Sequence, residues 1–378
     1  MTKLQDINRL GQSIWLDFVD RPLLDSGKLQ RLVEQGVSGL TSNPTIFDKA
    51  FSSGNAYDDD IRRLIGEGKT TDQIYETLAV GDIQRAADVM RPVYDRTHGA
   101  DGFVSLEVSP TLANDAKGTI DEAKRLWSAL NRPNVMIKVP ATPAGLEAIP
   151  VLIGSGLNIN VTLIFGIEQY EAVAEAYIAG LERLAQSGGD VSHTASVASF
   201  FVSRVDTLVD KKLDQLDTQT QTAPASSPKP STLRGKIAIA NAKVAYARFQ
   251  HIFAGPRWDA LKAKGAHVQR PLWASTGTKD PRYSDTLYVD SLIGPDTVNT
   301  VPPATLDAIL DHGHPAPTLE AGVGQAKDYL TRLAALGIDL EQVTQQLLDE
   351  GVASFAKSFE SLLAGLEQKR SQMEATPA

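Results

Sequence analysis

Residues 134–140 read Asn-Val-Met-Ile-Lys-Val-Pro, an apolar and largely β-branched run that contains a single lysine, Lys138. Apolar residues occupy both faces without alternation and a proline ends the run. This pattern predicts a strand of a parallel sheet that is buried on both sides. Lysine is almost never fully buried without a partner, so Lys138 is the residue of this strand that packing does not explain.

The run alone leaves three interpretations of Lys138 open. It could be an edge-strand lysine that blocks aggregation. It could lie at a strand end, with its ammonium reaching water along an apolar stem. The third interpretation is a desolvated lysine whose neutral amine is nucleophilic and forms a Schiff base with a carbonyl substrate. Other parts of the chain have to decide between them.

Composition excludes several classes of protein. The chain has 378 residues, of which 42% are hydrophobic and 22% charged, so it can build a large core. A net charge of −9 argues against nucleic acid as a partner. No apolar stretch reaches the roughly 18 residues of a membrane span, and the polar residues 1–13 do not resemble a secretory signal.

Cysteine is absent, which excludes disulfides and thiolate metal sites and favours a cytoplasmic location. The six histidines are scattered without metal-ligand spacing. We therefore expect neither a metal nor a cofactor.

Strand and helix patterns alternate along the chain. Besides residues 134–140, strand patterns occupy residues 13–19, 37–43, 103–109, 156–165, 194–201, 268–275 and 285–290. Eight strands that alternate with helices predict an α/β protein with a (β/α)₈ TIM barrel, followed by additional C-terminal helices from about residue 319. No GxGxxG or P-loop motif opens a helix, which makes a doubly wound nucleotide-binding fold the weaker choice. We expect residues 1–378 to form one barrel domain.

Three further segments carry expectations of their own. Residues 72–98 show two helical patterns that meet at Gly81 and Asp82. Residues 217–231 are of low complexity, and we expect a mobile loop insertion that is dispensable for chemistry because it offers no catalytic group. Residues 340–366 are amphipathic at helical spacing, which indicates core packing first and a subunit contact second.

Polar residues interrupt the strands near their carboxyl ends, where barrel enzymes place their catalytic groups. Asp17 lies among apolar neighbours, and Asn160 and Thr162 are two residues apart and so share one face of their strand. Packing does not explain seven such residues from six strands, and their convergence favours the Schiff-base interpretation. The seven are Asp17, Asn43, Glu107, Lys138, Asn160, Thr162 and Ser199.

Six segments carry these residues in order: Trp-Leu-Asp17, Leu-Thr-Ser-Asn43-Pro-Thr, Ser-Leu-Glu107-Val-Ser-Pro, Val-Met-Ile-Lys138-Val-Pro-Ala-Thr, Asn160-Val-Thr162-Leu-Ile-Phe and Ser199-Phe-Phe-Val-Ser-Arg204-Val-Asp. Their order and spacing resemble transaldolase, a class I aldolase that forms a lysine Schiff base, over nearly the whole chain. Trp-Ala-Ser-Thr-Gly-Thr-Lys279-Asp-Pro and residues 294–300 are similar to the longer bacterial branch of that family.

The resemblance implies sugar phosphate substrates and a role for each motif residue. Lys138 would attack the ketone of a ketose phosphate. Glu107 would act as general acid and base through a water near Thr162. Asp17 would take the proton of the hydroxyl whose carbon–carbon bond breaks. The bound dihydroxyacetone unit would be held by Asn43 and Asn160, with help from Ser199.

The resemblance assigns the substrate phosphate to Arg204 and Lys279. Here the chain departs from the better-known branch, which has an arginine in the loop after the seventh strand, and Lys279 supplies charge without a bidentate fork. Phe201 could line the pocket or belong to the core.

Two rival functions remain, an aldolase that releases dihydroxyacetone to water and a phosphosugar-binding barrel without catalysis. Either a monomer or a homodimer fits the sequence.

Overall fold

The computed structural model describes residues 2–219 and 229–375. In these residues eight parallel strands close into a barrel in which each strand pairs with its neighbours in chain order. The predicted (β/α)₈ class is confirmed. The strands are β1 Gln12–Asp17, β2 Val37–Thr41, β3 Val104–Glu107, β4 Val135–Pro140, β5 Ile159–Ile164, β6 Ser196–Phe201, β7 Arg270–Ala274 and β8 Thr297–Val301.

Helices surround the barrel and cover its ends. They are α1 Lys3–Arg9, α2 Arg21–Asp25, α3 Lys28–Gln35, α4 Pro44–Ser52, α5 Asp58–Gly66, α6 Thr71–Arg96, α7 Ala116–Leu130, α8 Pro143–Ile153, α9 Ile167–Gln186, α10 Ser203–Gln219, α11 Ile237–Ile252, α12 Pro256–Lys262, α13 Leu287–Ser291, α14 Pro303–His312, α15 Val323–Ala335 and α16 Leu340–Ala375. None of the helices in the described ranges is long and apolar enough to cross a membrane.

The predicted eighth strand was wrong. Residues 285–290 contain most of the short helix α13, and the strand that closes the barrel is β8. The Asp290 N–H donates to the Thr286 carbonyl at 2.9 Å, and the Thr286 hydroxyl donates to the Asp290 carboxylate at 2.7 Å, which closes a helical turn. β8 reads Thr-Val-Asn-Thr-Val and is fully buried, so its polar residues face neighbouring residues rather than water. The Thr276 hydroxyl donates to Asn299 Oδ1 at 2.8 Å, whereas Asn299 Nδ2 makes no hydrogen bond in the described part of the chain.

Two other expectations need correction or limitation. The helical patterns that meet at Gly81 belong to one helix, α6, because a single glycine lowers helix stability without ending it. Part of the predicted loop at residues 217–231 is helical, since α10 continues to Gln219 and a 3₁₀ turn forms over Pro230–Leu233. Residues 220–228 of the expected loop lie outside the described residues.

The C-terminal helix α16 packs across α4 and also contacts α5, α6 and α10. Its apolar stripe is buried, including Val343, Leu347, Phe355, Leu362 and Leu366. The stripe is therefore core packing, as the amphipathic pattern predicted first. This helix also brings Phe355 to the carboxyl ends of the strands, where the candidate site lies.

Two glycines give a test of the packing. We expect Gly81→Ala to stabilise the protein by about 0.5–1 kcal/mol, because no atom outside the adjacent residues and backbone of α6 lies within 4 Å of the added methyl group and alanine favours helix. Gly39→Ala is the opposite case, since its Cβ would lie 2.4 Å from the buried ring of Trp15, and it should cost about 1–3 kcal/mol. Urea unfolding midpoints measure both, and equal shifts would contradict this account.

Candidate active site

Lys138 lies on β4 with only 5% of its surface exposed. Its Nζ donates a hydrogen bond to the Ser42 carbonyl at 3.0 Å and lies 3.3 Å from Glu107 Oε2. It is also 5.8 Å from the centre of the Phe355 ring. β4 pairs with β3 and β5, so Lys138 is not an edge-strand residue. Its burial likewise leaves no room for an ammonium that extends into bulk water.

Strand register places the acid beside the amine. Glu107 on β3 is the direct partner of Lys138, and Lys138 is the direct partner of Asn160 on β5. Burial raises the pKa of Glu107, the positive charge of Lys138 opposes this effect, and the negative charge of Asp17 adds to it. The carboxyl group is therefore nearer to its protonated form than an exposed glutamate, which suits a group that donates and accepts protons.

Asp17 approaches the same point from the other side of the barrel. The Thr41 hydroxyl donates to Asp17 Oδ1 at 2.7 Å, and the hydroxyls of Thr41 and Thr300 lie 2.6 Å apart. Burial raises the pKa of Asp17, while the charges of Lys138 and Lys279 and the Thr41 hydrogen bond oppose this effect. The charge of one buried lysine, Lys138, thus acts on both carboxyl groups.

A cavity of about 470 Å³ opens above these groups at the carboxyl ends of the strands. It is large enough for a small phosphorylated ligand. Eight of the ten residues predicted from the sequence line it, namely Asp17, Asn43, Lys138, Thr162, Ser199, Phe201, Arg204 and Lys279. A larger groove of about 580 Å³ near the start of α9 contains none of the ten. The chemical character of the lining residues, rather than the volume of the cavity, therefore identifies the candidate site.

The two remaining predicted residues, Glu107 and Asn160, lie beside or beneath the cavity. Glu107 contacts Lys138 directly. Asn160 is buried, accepts a hydrogen bond from the Ser199 hydroxyl at 2.7 Å and donates one to the Ser105 hydroxyl at 3.1 Å. Asn160 thus orients Ser199, which itself faces the cavity.

Asn43 and Thr162 present polar atoms to the cavity in different ways. Asn43 caps α4, since its Oδ1 accepts from the Ile46 N–H at 3.0 Å, and this leaves the Nδ2 group for a ligand. Thr162 Oγ1 and Glu107 Oε2 are both buried, and neither makes a hydrogen bond in the described part of the chain. Their polar atoms suit a small donor and acceptor such as water.

The backbone next to Thr162 is strained. Leu163 has a φ of 61°, in the left-handed region that a branched residue rarely adopts, and the pairing of β5 with β6 shifts register between Val161 and Ile164. Such irregularities re-aim side chains and occur preferentially at functional sites.

Two cations lie at the outer part of the cavity. The guanidinium of Arg204 is 5.4 Å from the centre of the Phe201 ring, and burial lowers the pKa of Arg204 although an arginine remains charged. Lys279 is exposed in the loop after β7. Within the described residues neither side chain makes a salt bridge, so both cations are available to an anion. Phe201 both lines the cavity and belongs to the core.

Sequence reasoning missed several residues of this site. Thr41 and Thr300 position Asp17. Thr300 lies on β8, whereas the sequence predicted the eighth strand at residues 285–290. Lys49 lines the cavity from α4, and no local pattern distinguishes it from a surface lysine. Phe355 comes from a helix more than 200 residues beyond Lys138, and no local pattern indicates that it returns to the barrel mouth.

The raised pKa of Asp17 predicts how stability depends on pH. The folded chain binds the Asp17 proton more tightly than the unfolded chain, so ionisation of Asp17 costs folding free energy. The natural chain should lose stability relative to Asp17→Asn as pH rises from about 3.9 towards the raised folded value. Urea unfolding midpoints across this range measure the difference. Asp311→Asn is the control. The pKa of Asp311 is lowered by its hydrogen bond to His312, so the natural chain should gain stability relative to this variant as pH rises. A difference independent of pH would contradict the assignment.

Known proteins match the chain over nearly its whole length. A model of the Transaldolase/Fructose-6-phosphate aldolase family matches residues 14–366. The chain is 47% identical over 369 residues to a protein named Transaldolase 2 from Nostoc sp., covering 97% of each chain. It is 48% identical over 365 residues to a transaldolase from Thiobacillus denitrificans, covering 96% of this chain and 99% of the relative. It is 46% identical over 366 residues to a transaldolase from Neisseria meningitidis, covering 97% of this chain and 100% of the relative. The chain therefore belongs to the transaldolase/fructose-6-phosphate aldolase family and is an enzyme, a transferase of the transaldolase kind.

Proposed function

We propose that this transaldolase moves a dihydroxyacetone unit from a ketose phosphate to an aldose phosphate through a Schiff base on Lys138. The donor is sedoheptulose 7-phosphate or fructose 6-phosphate, and the acceptor is glyceraldehyde 3-phosphate or erythrose 4-phosphate. The observation that supports this best is the contact of 3.3 Å between the buried Lys138 amine and Glu107, beside a cavity that Lys138 and Asp17 both line.

Schiff-base formation begins with transfer of a proton from the Lys138 ammonium to Glu107. The neutral amine attacks the ketone carbon, and the carbonyl oxygen takes up the proton that the attacking nitrogen loses, which gives a neutral carbinolamine and leaves Glu107 protonated. Protonated Glu107 then returns its proton to the carbinolamine hydroxyl, and water leaves as the nitrogen lone pair forms a protonated imine. A water between Glu107 and Thr162 would relay these protons, and such a position is supported by Glu107 Oε2 and Thr162 Oγ1, which make no hydrogen bond in the described part of the chain.

Asp17 acts in the carbon–carbon step. It removes the proton from the hydroxyl on the carbon beyond the breaking bond, the bond electrons pass to the imine nitrogen, and the aldose phosphate leaves. The three-carbon unit stays on Lys138 as an enamine. When the acceptor aldehyde binds, the enamine carbon attacks it and Asp17 returns its proton to the new alkoxide. Hydrolysis of the imine, with Glu107 activating water, frees the product and restores Lys138.

The remaining residues hold the substrate. Asn43 and Ser199 offer polar atoms to the hydroxyls of the bound unit, and Asn160 keeps Ser199 in position. Arg204 and Lys279 would bind the phosphate, because both line the cavity and make no salt bridge within the described ranges. Lys49 adds a third positive charge to the same cavity.

We further propose that the enzyme works in the cytoplasm as a monomer or homodimer, on sugar phosphates of the pentose phosphate pathway and on no nucleic acid or membrane. The lack of cysteine and the net charge of −9 are compatible with this setting. Cell fractionation and sedimentation measure location and subunit number.

Borohydride reduction in the presence of fructose 6-phosphate tests the Schiff base. We expect a stable dihydroxyacetone-sized mass on the peptide that contains Lys138 and none in Lys138→Met, which lacks the amine. Lys243→Met is the matched control, because Lys243 is also partly buried but binds backbone carbonyls away from the cavity. A labelled Lys138→Met protein would contradict the assignment.

The dependence on acceptor separates the transferase from an aldolase. Fructose 6-phosphate should turn over only when erythrose 4-phosphate is present, because the enamine on Lys138 waits for an aldehyde. Coupled assays for free dihydroxyacetone and for sedoheptulose 7-phosphate measure both outcomes. Turnover at the same rate without acceptor would identify a lyase.

Glu107→Gln should reduce kcat by about 10²- to 10⁴-fold, because the amide cannot carry protons to and from the carbinolamine. Glu182→Gln is the matched control, since Glu182 pairs with Arg257 on the outer helices. Single-turnover trapping should show slow imine formation in Glu107→Gln alone. Normal imine formation in this variant would remove Glu107 from the chemistry.

A further inference from the structure

Two buried carboxylates near the site take no part in the proposed chemistry. Asp206 and Asp210 lie one helical turn apart on α10 and are 1% and 6% exposed. The same helix carries Arg204 in its first turn. A buried carboxylate is costly unless its oxygens are hydrogen-bonded, so the partners of these two residues indicate what they hold together.

Both aspartates connect α10 to the same two segments. Asp206 accepts from the Ala238 N–H at 2.8 Å and from the Tyr288 hydroxyl at 3.0 Å. Asp210 accepts from the Gly235 N–H at 3.2 Å and from the Tyr283 hydroxyl at 2.7 Å. Residues 235–238 lead into α11, and the two tyrosines follow Lys279 in the chain.

The loop that carries Lys279 is therefore tied to α10 at both ends. At its start, the Ser203 N–H donates to the Ser275 carbonyl at 3.0 Å, and the hydroxyls of these serines also lie 3.0 Å apart. At its end, Tyr283 is bound by Asp210. Within the loop, the Thr278 hydroxyl donates to the Ser284 carbonyl at 2.8 Å.

Lys279 needs such support because a lysine is a flexible point charge without the planar fork of arginine. Its neighbour Asp280 does not hold it, since Asp280 pairs with Arg282. The position of the Lys279 ammonium relative to Arg204 depends on the loop backbone. The hydrogen bonds to α10 fix that backbone to the helix from which Arg204 projects.

We propose that Asp206–Tyr288 and Asp210–Tyr283 form a clamp that positions Lys279 opposite Arg204 and so determines the preference for phosphorylated over unphosphorylated acceptors. The four side chains are positioning residues. The inference rests on the proposed binding of the substrate phosphate by Arg204 and Lys279.

Tyr283→Phe tests the clamp with little other change. Gly235 has a φ of 66°, and a Cβ at this position would lie 2.9 Å from the Tyr283 ring, so the ring packs closely on the glycine. Phenylalanine keeps this packing and removes only the hydroxyl that donates a hydrogen bond to Asp210. Tyr288→Phe is the second variant, at the other aspartate.

The readout is kcat/KM for erythrose 4-phosphate and for erythrose, each with fructose 6-phosphate as donor. In a ping-pong transfer, this constant reports only the steps between the loaded enzyme and the acceptor. We expect Tyr283→Phe to lower the value for erythrose 4-phosphate by about 10- to 100-fold, as for a displaced binding group. The value for erythrose should not change, and Lys138 should still be trapped by borohydride.

Tyr246→Phe is the matched control, because it removes a hydroxyl that donates to the Pro295 carbonyl at 3.1 Å, before the amino end of β8. It should change neither constant. Lys279→Met should lower the constant for erythrose 4-phosphate selectively, since it removes the charge itself.

The outcomes separate the two proposals. If Lys279→Met is selective but Tyr283→Phe and Tyr288→Phe change neither constant, the clamp is wrong and the phosphate site stands. If the tyrosine variants lower both constants equally, the hydrogen bonds are only structural and the clamp is again wrong. If Lys279→Met has no effect, both the proposed phosphate site and the clamp are wrong.

Discussion

The structure of the site depends on one buried ion pair, between Lys138 and Glu107. Removing an ammonium and a carboxylate from water costs several kcal/mol for each ion, and their attraction offsets this cost only with excellent geometry. Here the closest contact is 3.3 Å, and Glu107 Oε2 makes no hydrogen bond among the residues that the structure describes. The pair is thus poorly optimised for stability, which fits the proposal that these groups exchange a proton and admit a substrate.

Barrel closure is what brings these charges together. Parallel pairing in register sets Glu107, Lys138 and Asn160 side by side on three adjacent strands. Closure between β8 and β1 then carries Asp17 and Thr300 round to face them. No one of these segments could bury its polar residue alone, because each charge relies on a partner from another strand.

The sequence revealed those features whose signal is local. A lysine within an apolar strand is unusual wherever it occurs, so Lys138 could be found without any knowledge of its neighbours. β8 was missed because its Thr-Val-Asn-Thr-Val pattern is polar, and only the closed barrel explains how these residues are buried. Asp206 and Asp210 also gave no signal, since two acids four residues apart on a helix usually mark an exposed face. Their tyrosine partners are more than 70 residues away.

The proposed catalytic residues lie on strands, whereas the proposed phosphate ligand Lys279 lies on a loop. Proton transfer tolerates little displacement, and Glu107, Lys138 and Asp17 all lie on strands that are paired on both sides. The proposed phosphate ligand Lys279 lies beyond the strand ends, in the loop after β7. A loop is less rigid than a paired strand, and in the proposed clamp the hydrogen bonds between this loop and α10 supply the rigidity that the strands provide elsewhere.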